Sequence, residues 1–129
     1  MTTKEFMMLL ATYKFMNANG EREYFGQNEK AIMLYLAARI TRDNPVSVTG
    51  AELSRCTALN QNTAYAACKK LRDNGFITAE SVQGSTATVY HSVQLSRTLY
   101  SRDGAVILDM NPVTVYHYDK FSLANMGIE

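Results

Sequence analysis

The chain has 129 residues, 47% hydrophobic and 19% charged, so one ordinary domain with its own core is expected and disorder over most of the length is excluded. No run approaches the roughly 20 apolar residues of a membrane span, and Glu5 interrupts the N-terminal stretch where a secretory signal would sit. Two cysteines rule out a disulfide scaffold, and 13 basic against 12 acidic residues leave a net charge of +1. A cytoplasmic protein with no membrane partner is the expectation. The balanced charge removes the simplest argument for nucleic-acid binding, leaving only the local cluster Lys69, Lys70 and Arg72.

Taken in chain order, Phe6, Leu9, Leu10, Tyr13, Phe15 and Met16 trace a helical face over 2–17, with Thr2 and Glu5 spaced as a capping box and Asn19-Gly20 as a stop. The rival reading is a hairpin, with strands near 9–16 and 22–25 turning through 17–20. Of the two, the helix is preferred. Ile32, Met33, Leu36, Ala37 and Ile40 then recur at helical spacing behind Asn28, predicting a helix over 28–41 that Asp43-Asn44-Pro45 closes. Thr49-Gly50-Ala51-Glu52 is a capping box opening a short helix, with Leu53 and Cys56 facing inward. Thr57-Ala58-Leu59 makes a tight turn, Asn60 caps a helix running to about Asp73, and Asn74-Gly75 stops it.

After Gly75 the period becomes two. Residues 76–80 and 86–93 read as strands, with turn chemistry from Ser81 to Ser85. A second pair, 95–101 and 105–109, is joined through Arg102-Asp103-Gly104, and Asn111-Pro112 precedes a strand over 113–118. The last ten residues form at most one helical turn.

Helix, helix, tight turn, helix, hairpin is the order of a winged helix-turn-helix. The stretches Leu53-Ser54-Arg55-Cys56-Thr57-Ala58-Leu59-Asn60-Gln61-Asn62-Thr63-Ala64-Tyr65 and Leu71-Arg72-Asp73-Asn74-Gly75-Phe76-Ile77 resemble the pattern of winged-helix regulators of bacteria, phages and plasmids, including the multiple-antibiotic-resistance-repressor group. The resemblance covers about 28–93. It implies a winged helix-turn-helix core, and with the elements read on either side the expectation is a single α+β domain over 1–129, with an N-terminal helical extension over 1–27 and a C-terminal β extension over 94–129. It also implies a homodimer on double-stranded DNA, with 60–73 as recognition helix.

Helical geometry agrees with that register. Asn60, Ala64, Ala67, Cys68 and Leu71 share one stripe at 100° per residue, while Asn62, Ala66, Lys69 and Asp73 lie opposite, flanked by Gln61 and Tyr65. Asn and Gln side chains suit an adenine edge, and Lys suits guanine or phosphate. The expected DNA contacts are Arg55, Asn60, Gln61, Asn62, Thr63, Tyr65, Lys69, Lys70 and Arg72, with Gln83, Ser85 and Thr86 from the wing. One departure from the pattern matters: residues 77–93 contain no Lys or Arg. That keeps a second reading open, a winged-helix adaptor or inhibitor that binds another protein.

No catalytic constellation is present. There is no phosphate-binding glycine loop and no nucleophile elbow, and Cys56, Cys68, His91 and His117 lack metal-ligand spacing. Both thiols are expected in the core, and a non-enzymatic protein without cofactor is the expectation. The apolar residues of 2–17 and 94–118 are the expected dimer contacts.

Overall fold

The N-terminal segment holds a helix and a hairpin in succession. In the computed structural model, which describes residues 3–40, 44–81, 83–95, 97–110 and the strand 113–115, helix α1 spans Thr3–Thr12. Its last turn closes with Thr12 Oγ1 donating to the Met8 carbonyl at 2.7 Å and the Tyr13 N–H to that of Leu9. The chain then straightens into β1, Lys14–Met16, and returns as β2, Arg22–Tyr24. The helix expected to reach 17 therefore ends five residues early. Extended backbone wins there because β1 has two partners, β2 on one side and β6 on the other. Asn17, read as part of a helix end, instead ties the turn, its Oδ1 accepting from the Asn19 and Glu21 N–H groups.

Helix α2, Gln27–Arg39, buries Ile32, Met33, Leu36 and Ala37 as the periodicity predicts. Its cap is Gly26, not Asn28, which is exposed. A Cβ at Gly26 would meet Glu29 Oε2 at 2.3 Å, so the absent side chain leaves room for the Glu29 carboxylate to fold back over the helix N-terminus. Strand β3, Val46–Thr49, follows and was not among the expected elements, although Val46 and Val48 alternate with exposed Ser47. Helix α3, Gly50–Thr57, begins as predicted, with Thr49 Oγ1 accepting from the Glu52 N–H at 3.1 Å. Ala58 takes the left-handed conformation at φ 59° and aims the chain into α4, Gln61–Asp73. Asn60 caps α4 by accepting from the Thr63 N–H at 2.8 Å.

The remaining chain is β: β4 Ile77–Ser81, β5 Ala87–Leu95, β6 Thr98–Tyr100, β7 Ile107–Asp109 and β8 Val113–Val115. The fold is thus mixed α+β, with four helices and two antiparallel sheets among the described residues. One sheet has the order β3-β5-β4, with β8 pairing the later part of β5; the other has the order β2-β1-β6-β7. Thr2, Pro112, Tyr116, His117 and the final ten residues, which entered the sequence reading, lie outside the described residues.

A single apolar cluster joins the two sheets. Phe15 of β1, Phe25 and Phe76 pack with ring centroids 4.9 to 5.1 Å apart. Phe6, Leu9, Leu10 and Leu99, expected at a dimer contact, are instead buried in the core of their own chain. Cys56 departs from expectation too. It is exposed, and only Cys68 is buried, because the eight-residue α3 turns one narrow stripe, Leu53, to the core. Arg97 closes the seam: its Nη1 donates to the Met16 carbonyl at 2.9 Å, its Nη2 to the Asn74 carbonyl, and its guanidinium lies 4.7 Å from the Phe76 ring centroid.

Candidate nucleic-acid interface

The capping of α4 fixes which residues it presents. Ala64, Ala67, Cys68 and Leu71 are buried against the rest of the fold, which leaves Gln61, Asn62, Tyr65, Ala66, Lys69 and Asp73 outside. Tyr65 is 68% exposed, a large ring held in solvent. Ala66 keeps the middle of this face slim.

Beside that face runs a cleft of about 460 Å³, bounded by the start of α3, by α4 and by the β3-β5-β4 sheet. Gln61, Asn62, Tyr65 and Arg72 line it from the helix, and Thr86 and Thr88 from the hairpin. Five of the sequence-predicted contacts (Gln61, Asn62, Tyr65, Arg72 and Thr86) thus come together in one place. Arg72 is half-buried and has no carboxylate partner among the described residues.

At the inner end of the cleft the Tyr90 hydroxyl donates to Cys68 Sγ at 3.5 Å. Burial pushes the ionisation of both groups upward, and the Arg72 charge partly opposes this. Both therefore stay neutral near pH 7. Thr49, Thr88 and Tyr90 belong to this cleft but were not among the predicted residues. The Val46–Val48 alternation was the signal that would have found β3, and with it this wall.

Other predicted residues are engaged elsewhere. Lys70 points to the N-terminal hairpin, where its Nζ lies 2.5 Å from Glu23 Oε1 and 3.9 Å from Glu29 Oε1. The Asn17 amide, donating at 2.7 Å, and then the Lys70 ammonium hold the Glu23 carboxyl below the usual carboxylate range. Lys69 pairs with Asp73 at 2.9 Å on an exposed face, a contact that solvent keeps weak. Asn60 and Thr63 are tied to each other in the cap. Arg55 is exposed on α3. Gln83 and Ser85 sit exposed in the hairpin turn, with Ser85 Oγ accepting from the Ala87 N–H. On the hairpin, Glu80 lies 3.2 Å from His91 Nε2.

Among the described residues no three His, Cys, Asp or Glu side chains are grouped to hold a metal, and no helix is long and apolar enough to cross a membrane. Comparison with protein-family models, with curated proteins and with solved structures finds no match to the chain.

Proposed function

We propose that the chain binds double-stranded DNA through a winged helix-turn-helix, as a small non-enzymatic regulator of transcription or replication. In this reading α2, α3 and α4 form the helical part, β3 is its short first strand, and β4 and β5 are the wing. Helix α4 enters the major groove. The observation that carries the reading is the exposed row Gln61, Asn62 and Tyr65 on α4, lining with Arg72 a cleft whose other walls include the hairpin. Amide side chains near the start of such a helix present paired donors and acceptors to base edges. Arg72 and Lys69 supply the phosphate term.

The test is fluorescence anisotropy on cognate and random duplex over a salt titration. A DNA reader gives log K falling linearly with log salt. Asn62→Ala weakens the cognate duplex by about 1–3 kcal/mol and random duplex little, whereas Arg72→Gln weakens both and flattens the salt slope by about one unit. Lys70→Ala leaves the slope unchanged, since Glu23 and Glu29 already neutralise that ammonium. Two copies on a two-fold site compensate for the small number of cations each brings. Met7 and Met8, exposed on α1, offer one apolar contact for that pairing. Sedimentation at micromolar concentration checks it.

A protein-binding adaptor is the second reading. It is favoured by one observation: the wing has no Lys or Arg, and both Lys69 and Lys70 have carboxylate partners. Duplex binding that is absent even at low salt selects it.

A further inference from the structure

The sheet β2-β1-β6-β7 has one face on the core, carrying Phe15 and Leu99, and one face open. Register decides what the open face carries. Lys14 pairs with Tyr24 on one side and Tyr100 on the other, and Tyr100 pairs with Ile107. A row Tyr24, Lys14, Tyr100, Ile107 therefore crosses all four strands on one side of the pleat. Tyr24 is 43% exposed and Ile107 58%. The Lys14 ammonium lies 4.9 Å from the Tyr24 ring centroid, and the Arg22 guanidinium 3.9 Å from that of Tyr100.

The Arg22 position is built by the fold. A Cβ on Gly104 would sit 3.0 Å from Arg22 Nη1, so the glycine in the β6–β7 turn makes the space in which the guanidinium lies. Stacking on the ring uses its π face and leaves in-plane N–H groups as donors. Arg102, exposed in the same turn, adds a third cation, and Lys14 Nζ reaches its carbonyl at 3.4 Å. None of Lys14, Arg22 and Arg102 has a carboxylate partner among the described residues. Of the nearby acids, Asp103 is held by Ser101 Oγ and the Ala105 N–H, and Asp109 lies on the same face two residues beyond Ile107, opposite Thr98.

We propose that this open face binds single-stranded nucleic acid, with Tyr24 and the Arg22-capped Tyr100 as base-stacking platforms and Lys14, Arg102 and the in-plane N–H groups of Arg22 on the backbone phosphates. Tyr24 and Tyr100 stand on strands two spacings apart, about 10 Å between backbones, a span that neighbouring nucleotides with splayed bases can bridge. Cations interleaved with aromatic rings on an open sheet suit a polyanion with π faces. The same charges argue against a second copy of the chain as occupant, since self-pairing would oppose like charges across the contact. The inference uses no residue of the exposed row on α4.

The experiment titrates the full chain into a fluorescein-labelled oligothymidylate and oligouridylate of about 15 nucleotides, each against duplex of equal length. Salt-sensitive binding of either single strand is expected, and comparing the two tells DNA from RNA. Tyr24→Ser and Tyr100→Ser should each weaken it roughly tenfold, while Tyr24→Phe, which keeps the ring, should bind as wild type. Arg22→Gln should flatten the salt slope, and Asn62→Ala, the duplex-directed variant, should change nothing. No single-strand binding at low salt overturns the proposal, as does wild-type binding by a Tyr24→Ser protein with a native circular-dichroism spectrum. A Tyr24→Ser variant that instead dissociates a wild-type dimer in sedimentation also overturns it, because the face would then be an interface between copies.

Discussion

Replacing Arg97 by Met isolates what the guanidinium contributes, because the new side chain keeps an apolar stem against Phe15 and Phe76. The head group makes two hydrogen bonds, to the Met16 and Asn74 carbonyls, and lies over two rings. A hydrogen bond to a charged group contributes about 1.5–3 kcal/mol, and a partly desolvated cation–π contact about 1 kcal/mol. Arg97 is only partly buried, and water replaces some of what is lost, so the sum is discounted by about half. The expected destabilisation is about 2.5–4 kcal/mol, or roughly 8–20 °C in melting temperature for a domain of this size. Urea unfolding followed by circular dichroism measures it. Arg97→Lys should recover only part of the loss, since an ammonium cannot bridge both carbonyls with the planar geometry of the fork. Hydrogen exchange should speed up first at the β1 and β6 amides, which the joint holds against α4. An Arg97→Met protein within about 0.5 kcal/mol of wild type would refute the idea that this residue ties the sheets.

Three further outcomes follow from the same geometry. Ala58→Gly relieves the left-handed φ of 59° and should raise stability by about 0.5–1 kcal/mol in the same urea assay, the gain being limited by the entropy glycine adds to the unfolded chain. With a thiol reagent near neutral pH, one cysteine per native chain should react quickly. That is exposed Cys56, while Cys68, buried and with its thiol pushed up, should wait for unfolding. Glu23, whose carboxyl is held low by Asn17 and Lys70, contributes stability that is present above the usual carboxylate pKa and is lost as pH falls through its lowered folded value. Glu23→Gln should therefore be less stable than wild type near pH 7, with the gap closing as pH falls below the ordinary carboxylate range in denaturation at each pH.

The centre of the chain was the most legible in sequence because its signals are local. Thr49 and Asn60 cap through bonds spanning three residues, and the spacing of Ala64, Cys68 and Leu71 sets the buried face without reference to distant chain. The N-terminal segment was less legible because its state depends on a remote partner. Phe15 continues the helical spacing of Leu9 and Leu10, yet it becomes a strand residue through pairing with Leu99 and Phe25–Phe76 packing. The candidate interface was legible where it depends on helix phase, as at Asn62 and Tyr65. It was illegible where a cation is claimed by another element, as at Lys70, and where register builds the surface, as with Tyr24, Lys14 and Tyr100.

The pairing of β1 with β6 also shapes how the molecule is made. The Arg97–Met16 bond spans 81 residues of sequence and the Lys14–Arg102 bond 88, so this sheet closes across most of the chain. During synthesis the hairpin β1–β2 leaves the ribosome long before β6 exists, and until then Phe15 lacks the strand that covers its open edge. A two-stranded hairpin alone is marginal in water, and long-range closure is slow. The helices and the β4–β5 hairpin, whose contacts are shorter in sequence, are thus available as a preformed template. Strand β1, though translated before the helices α2 to α4, is among the last elements to find its place, and a nascent chain held back before β6 leaves an unpaired strand edge for chaperones to shield.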